Sequence, residues 1–370
     1  MKPRCCKNLG LNGTAFGLVL ILSLVFIPFG KHAHATKEDL VYPGTAWERY
    51  ETPEDAGYSS QGLEKVEKYI ESIKSTGLVV VVGGKILYEY GDIQQLSYIA
   101  SVRKSVLAML YGNYVSDGTI KLDTTLKELG IDDHGGLLPV EQNATIEHLI
   151  TARSGIYHPA SNGGDSSADA PERGSQQPGE YFLYNNWDFN CAGFIFEKLT
   201  GKDIYDAVES DLAKPLGMQD WDRSRQRKSG DLKRSKFPAY HMWYSTRDMA
   251  RLGYLMLRQG EWGGKQIIPK DWAKKIVTVV TPLDKMNPTP LRQGRLAYGT
   301  MWWLWSGPKA TGPYAGAYSA RGAYGQYITV LPAIDMVIAH KTAVPPERSV
   351  NMIEYAGIME RLIRAGMDED

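Results

Sequence analysis

The sequence predicts an α/β chain of the α+β sandwich kind: one antiparallel sheet built from N- and C-terminal segments, flanked by helices, with a mostly helical insertion between them. Three observations lead there. A strand–turn–strand pattern occupies residues 77–90, a second occupies 327–340, and the stretch between about 120 and 290 reads as helical patches joined by polar loops. The chain has 370 residues, 43% of them hydrophobic, which suffices for one large domain or two intimately packed subdomains. The expected division is a sheet subdomain over about 36–115 and 290–370 and a helical subdomain over about 116–289.

The N-terminus is a separate segment. Lys2, Arg4 and Lys7 precede the apolar run Ala15–Ile27, and Pro28, Gly30 and the small-residue site Ala33-His34-Ala35 follow. That order is a secretory signal peptide over residues 1–35, with cleavage expected after Ala35 and a periplasmic or secreted product. Thirteen apolar residues fall short of the roughly 20 needed to span a bilayer, so no stable membrane insertion is expected after cleavage. Cys5 and Cys6 lie before the apolar run, unlike a lipoprotein site. Removing the segment takes four basic residues and no acid, leaving 38 against 42 and a net charge of −4. Such a balance gives no support for nucleic-acid binding. Only Cys191 survives processing, so no intrachain disulfide is expected.

Along the mature chain, Leu63, Val66, Tyr69, Ile70 and Ile73 recur at helical spacing over 59–75. Gly77–Val82, Gly83-Gly84 and Lys85–Tyr90 then form a β-hairpin with a Gly-Gly turn. A helix starts at Ser101 and ends near Asp117-Gly118, on the apolar spacing of Val102, Val106, Met109 and Leu110. Residues 160–180 form a long polar loop, rich in Gly and Ser, of the kind that serves function or stays disordered. A helix follows over Asn190–Gly201. Tyr327–Leu331, a turn over Pro332–Asp335, and Met336–His340 return to strand, and a last helix spans roughly 346–366.

Ser101-Val102-Arg103-Lys104 carries the chemistry. Residues three apart share a helix face, so Ser101 Oγ and Lys104 Nζ fall within hydrogen-bond reach. A serine is a weak nucleophile until a base takes its proton, and a lysine serves once burial or nearby cations free its amine. The competing reading makes Ser101 an N-cap and Lys104 a solvated first-turn cation. The helix dipole disfavours a cation there, so that reading leaves Lys104 unexplained. Ser306-Gly307-Pro308-Lys309 repeats the pattern where Gly and Pro break the helix that would align it. Tyr184 and Asn186, two apart in an extended loop, point to one side: a phenol to move a proton and an amide to hold a lysine or a carbonyl. Tyr111-Gly112-Asn113 has the same spacing but lies about 15 Å down the nucleophile helix.

Ser101-x-x-Lys104, then Tyr184-x-Asn186, then a Gly-rich strand segment resembles the serine β-lactamase and penicillin-binding-protein superfamily. The likeness is greatest to its class C-like branch of esterases and 6-aminohexanoate-dimer-hydrolase-type amidases. Asp117–Asp123, Ile146–Gly155 and Ser245–Gly253 resemble further segments of the family, so the resemblance runs over about residues 50–360. It implies a β-lactamase/transpeptidase-like fold and a serine hydrolase that forms an acyl-enzyme on Ser101. Lys104 would be the base partner and Tyr184 the second proton-transfer group, while Asn186 steadies the lysine and the substrate. The oxyanion hole would use the Ser101 N–H and a donor near Ala320.

The third family motif departs. Aligning on Gly322–Tyr327 places Ala317-Tyr318-Ser319 where relatives carry Lys-Thr-Gly or His-Thr-Gly. The cation that would hold a β-lactam or peptide carboxylate is missing there, and His340-Lys341-Thr342-Ala343 ends the next strand without the Gly. Ser319, Ala320 and Arg321 remain the substrate-binding candidates on this strand, with Arg321 able to supply a cation from nearby. The expected activity is hydrolysis of small, neutral esters or amides. A penicillin-interactive D-alanyl carboxypeptidase or weak β-lactamase is the first alternative, and a non-catalytic binding protein of the same fold is the second. The seven histidines show no ligand spacing, so neither a metal nor another cofactor is expected. Of Trp302, Trp303 and Trp305, core packing is the plainer reading and a substrate wall the sharper one.

Overall fold

The computed structural model describes residues 40–343 and 349–366. The segment 1–35, expected to be a signal peptide, lies outside the described residues. Helix α1 (Ser60–Glu71) starts where the Ser59 side chain accepts the Gly62 N–H, and it buries Leu63, Val66 and Ile70. The hairpin follows as β1 (Gly77–Val82) and β2 (Lys85–Gly91), with a register shift between Val80 and Val81. Then come α2 (Val102–Ser116), α3 (Asn186–Thr200) and α4 (Thr246–Leu257). The chain closes with β3 (Leu296–Tyr298), β4 (Trp303–Trp305), β5 (Tyr318–Gly322), β6 (Gln326–Leu331), β7 (Met336–Lys341) and helix α5 (Met352–Ala365).

The strands form one seven-stranded sheet, β2-β1-β7-β6-β5-β4-β3, in which every neighbouring pair is antiparallel. The two ends of the chain meet in its middle, with Gly77 opposite Lys341 and Val82 opposite Met336. Central strands are covered on both faces, which explains why Leu78-Val79-Val80-Val81 is apolar without alternation. Leu78, Val80, Leu331 and Ile338 face α1 and α5. Those two helices close on each other where Gly62 meets Ala365. Val79, Val81, Ile328, Val330 and Val337 face the other core, with α2 and α4.

Helix α4 lies within the segment expected to form the insertion, yet it packs directly on β7, β6 and β1. Gly253 permits this: a Cβ there would sit 2.5 Å from Val337 and 2.8 Å from Ile328. The last helix begins at Met352, later than 346, because Asn351 and Glu354 close a capping box at that point. Among the described residues, no helix is long and apolar enough to cross a membrane.

Candidate active site

Three elements converge on Ser101. The first is the approach to α2. Ser97-Tyr98 pairs with Trp243-Tyr244, and the Ile99 N–H reaches Met242 O at 3.1 Å. Ala100 then adopts a left-handed backbone, φ 48°, which for a residue with a Cβ costs about 1–3 kcal/mol. Val102 N–H on Ile99 O and Arg103 N–H on Ala100 O hold that turn. Ser101 makes no side-chain cap, which removes the N-cap reading. Its Oγ lies 2.7 Å from Lys104 Nζ, and Lys104 Nζ lies 2.9 Å from the Tyr184 hydroxyl. Among the described residues, no backbone acceptor takes the Ser101 N–H.

The electrostatics of this trio come from its neighbours. Lys104 is 1% exposed, beneath the Tyr184 and Phe189 rings at 4.6 and 4.9 Å. Arg103, which sequence reasoning passed over, is equally buried. Its Nη2 donates to Asn190 Oδ1 at 2.9 Å, its guanidinium stacks 4.1 Å from the Tyr240 ring centre, and its Nη1 has no partner. Among the described residues neither cation has a carboxylate within ion-pair distance. A guanidinium does not give up its proton, so of two adjacent buried cations the amine is the one to discharge. Burial first and Arg103 second hold the Lys104 pKa well below the usual lysine range, opposed by Asp165. Burial pushes the Tyr184 phenol up to about 12, against the pull of its hydrogen bond to Ser101 and the charges of Arg103 and Arg321. Burial thus favours the neutral amine of Lys104 beside an intact Tyr184 phenol.

Asn186 is not the partner of Lys104 that its spacing suggested. It opens α3, with Asn185 capping the helix through the Asp188 N–H. The Asn186 side chain donates to Gly163 O at 2.9 Å and Asn162 O at 3.4 Å, and none of its hydrogen bonds reaches Lys104. Its backbone N–H binds Asp165 Oδ2 at 2.7 Å, and the Tyr184 carbonyl accepts the Ser166 N–H at 2.8 Å. The polar 160–180 loop is thereby tied to the site at both Tyr184 and Asn186.

The third element is β5, where alternation decides which residues reach the site. Ser319 turns to the α5 side, with its Oγ 2.9 Å from Thr329 Oγ1, which also accepts from the Tyr355 hydroxyl. Ala320 is fully buried in the core shared with α2. The strand meets the nucleophile at Gly322, where a Cβ would lie 2.5 Å from Ile99 O and 3.1 Å from Ser101 N. Gly322, two residues past Ala320, is thus where the strand comes closest to the nucleophile, and the Ser319 side chain bonds away from it. Arg321 is half-buried with its guanidinium 5.0 Å from the Trp303 ring centre, and its Nε is buried without a partner. Burial pulls its pKa below the usual guanidinium range.

The tryptophans divide. Trp302 is core, edge-on to Tyr318, and Trp305 stacks on Tyr314. Trp303 stands 5.5 Å from Tyr184, ring centre to ring centre, and so forms a wall of the site. The repeated motifs lie elsewhere. The Tyr111 hydroxyl donates to Ala192 O in the core, and His340 is held between Ser75 Oγ and Gly325 O. Lys341 Nζ donates to the carbonyls of Ser97 and Tyr244, bracing the ribbon that leads to the nucleophile. Among the described residues, no group of three or more His, Cys, Asp or Glu could hold a metal ion.

Comparison with known proteins adds a family. The family model described as Beta-lactamase matches residues 63–351. An uncharacterized protein of Alkalihalophilus pseudofirmus is 24% identical over 262 residues, covering 65% of this chain and 71% of its own. Among solved structures, the fold is similar to a Bacillus anthracis protein described as a candidate 6-aminohexanoate-dimer hydrolase. The TM-score is 0.63 at 20% identity, over 88% of this chain and 87% of that one. It is also similar to EstCE1, a hydrolase with promiscuous acyltransferase activity, at TM-score 0.60 and 15% identity over 83% and 98% of the chains. A penicillin-binding-protein homologue from Caulobacter crescentus gives TM-score 0.60 at 14% identity, again over 83% and 98%. Likeness at these identities establishes the fold.

Proposed function

This chain belongs to the Beta-lactamase family, and from that premise we propose that it is an exported serine hydrolase that cleaves small ester or amide bonds through an acyl-enzyme on Ser101. One observation carries the reading: Lys104 Nζ touches both Ser101 Oγ and the Tyr184 hydroxyl, at 2.7 and 2.9 Å, in a pocket whose burial favours the neutral amine.

The steps follow from who holds a proton. The Lys104 amine takes the proton of Ser101 as Oγ bonds to the acyl carbon. Tyr184, with its pKa near 12, is too weak an acid to supply a phenolate base at neutral pH. The tetrahedral oxygen turns to the Ser101 N–H and to the N–H of Ala323, the first past Gly322, which replaces the donor expected near Ala320. Tyr184 gives its proton to the leaving oxygen or nitrogen as the bond to carbon breaks, and recovers one from the Lys104 ammonium. A water then repeats the sequence on the acyl-enzyme, releasing the acid and restoring Ser101.

The test is intact-protein mass after a fluorophosphonate probe and, separately, after a penicillin. A single probe adduct, lost in Ser101→Ala, is expected. Absence of any adduct would favour a non-catalytic binding protein. A penicillin adduct at Ser101 would favour the penicillin-interactive alternative. Export is tested by N-terminal sequencing of the mature protein, expected to begin at Thr36; a membrane-bound product retaining Met1 would overturn it.

A further inference from the structure

We propose that the basic ribbon over residues 223–241, with its turn at Leu232–Arg234, is a docking surface for an anionic lipid bilayer. The inference goes beyond the hydrolase reading and concerns where the protein works.

Residues 223–236 hold seven basic side chains and one acid, in a chain that has 42 of each sign. Arg223 and Lys228 are ion-paired, with Asp203, Asp206 and Glu197. Among the described residues the other five, Arg225, Arg227, Lys233, Arg234 and Lys236, have no ion-pair partner, and all five are exposed. A stretch that only had to be solvated would not need its backbone pinned, yet this one is. The carboxylate of buried Asp133 accepts both the Ser235 hydroxyl and the Lys236 N–H. The Asp231 N–H reaches Ser161 O at 2.7 Å, and the Leu232 carbonyl accepts from His134 Nε2 at 2.8 Å. The Arg234 N–H closes the turn on Asp231 O at 3.0 Å, and the Asp231 carboxylate takes the Lys233 N–H. The like charges are therefore held together on a fixed frame.

Two apolar side chains are displayed among them. Leu232, in the turn, is 56% exposed, and Phe194 on α3 is 41% exposed, its ring centre 5.1 Å from that of Phe237. A soluble polyanion would call for the cations alone. Cations around an exposed Leu and Phe suit a bilayer interface, where phosphates meet the charges and the acyl boundary takes the apolar groups.

Position connects this surface to the chemistry. The strand that leaves the turn, Ala239–His241, runs on to Met242, whose carbonyl accepts the Ile99 N–H, and to Trp243, which pairs with Tyr98. The Arg227 guanidinium stacks 3.9 Å from the Trp243 ring centre, and Trp243 lies 5.5 Å from Tyr98. Ser101 follows Tyr98 by three residues, so docking brings the nucleophile close to the bilayer.

The experiment is co-sedimentation of the full chain with vesicles of phosphatidylcholine alone and of equal parts phosphatidylcholine and phosphatidylglycerol. Partitioning should favour the anionic vesicles and weaken as salt is raised. Each cation near such a surface contributes about fivefold, so Lys233→Gln/Arg234→Gln/Lys236→Gln should lower partitioning about 100-fold. Lys265→Gln/Lys270→Gln/Lys274→Gln makes the same change of charge at exposed positions outside the ribbon and should lose far less. Leu232→Ser should weaken partitioning several-fold. All these proteins share residues 1–35, so any affinity of that segment for lipid cancels in the ratios. Equal partitioning of wild type to the two kinds of vesicle overturns the proposal, whether or not the variants fold. An unchanged ribbon variant, or a control that loses as much, overturns it too. An unchanged Leu232→Ser overturns the bilayer in favour of a soluble polyanion, which binding of polyphosphate would then identify.

Discussion

Replacing Gly322 by Ala tests whether the site is assembled as described. A Cβ at this position points at the carbonyl oxygen of Ile99, 2.5 Å away, and at the Ser101 nitrogen, 3.1 Å away. Both are backbone atoms in a turn already fixed by the left-handed Ala100, so neither yields as a flexible side chain would. Ordinary contacts between non-bonded heavy atoms begin near 3.5 Å, so β5 must back away by something on the order of an ångström. Overpacking of this kind costs about 1–3 kcal/mol of stability, which a domain of this size survives. Catalysis is less tolerant. In the proposed mechanism the Ser101 and Ala323 N–H groups act on the same oxygen from opposite elements, and a misplacement of that size would remove one of them. Loss of one such donor lowers kcat by about 10²–10³-fold. The assay is the rate of acylation of wild type and Gly322→Ala by p-nitrophenyl acetate, with thermal unfolding followed in parallel. A folded Gly322→Ala protein with near-normal kcat would refute the placement of the strand against the nucleophile.

The remaining expectations concern the charges. Arg103→Met removes a fixed cation beside Lys104, so the amine keeps its proton to higher pH, and the acid limb of kcat/KM should move up by roughly 1–3 pH units. Arg103→Lys, which retains the charge, should move it less, and an unmoved limb in Arg103→Met would dismiss the role. Ser101→Ala should abolish acylation, whereas Ser306→Ala and Tyr111→Phe, in the repeated motifs, should leave turnover near wild type; burst kinetics distinguish them. Lys341, wholly buried, has its pKa depressed to about 7 by burial. Between pH 7 and the ordinary lysine value the unfolded chain binds a proton that the folded one does not, so stability rises with pH across that window. The urea midpoint should therefore increase from pH 7 to 9, and by less in Lys341→Met. An identical increase in the two proteins would locate the effect elsewhere.

What the sequence revealed depended on how locally each feature is encoded. Helix α2 and its Ser101–Lys104 pair follow from spacing within a single turn, and the β1–β2 hairpin from a Gly-Gly turn between apolar runs. Tyr184 reached the site as expected because its loop enters a clear helix. Asn186 makes no hydrogen bond to Lys104, because it belongs to that helix and not to an extended loop, so the two-residue alternation that paired it with Tyr184 does not hold. The register of β5 was out of reach for a related reason. A Gly-rich strand end offers several alignments, and only the approach of Gly322 to Ile99 and Ser101, more than 220 residues apart in sequence, selects one. Arg103 was hidden by its own neighbour: within a motif defined by Ser and Lys, nothing local says that the third residue is buried without an acid. The division of the three tryptophans likewise needed the fold: Trp302 precedes β4, and Trp303 and Trp305, two apart on that strand, meet different partners, Tyr184 and Tyr314.

The order of strands also has a consequence for the timing of synthesis. Gly77 of β1 pairs with Lys341 of β7, 264 residues further along the chain. At roughly 5–20 residues per second of translation, the inner edge of the hairpin waits on the order of 10–50 s for its partner. Until β7 emerges, β1 has one neighbour and α4 has only part of its sheet to cover. A polypeptide whose central seam is sewn last stays loosely folded through most of its synthesis, a state that the export proposed above would require at the translocation pore. It also means that a product cut short anywhere before β7 is inert from its first residue to its last.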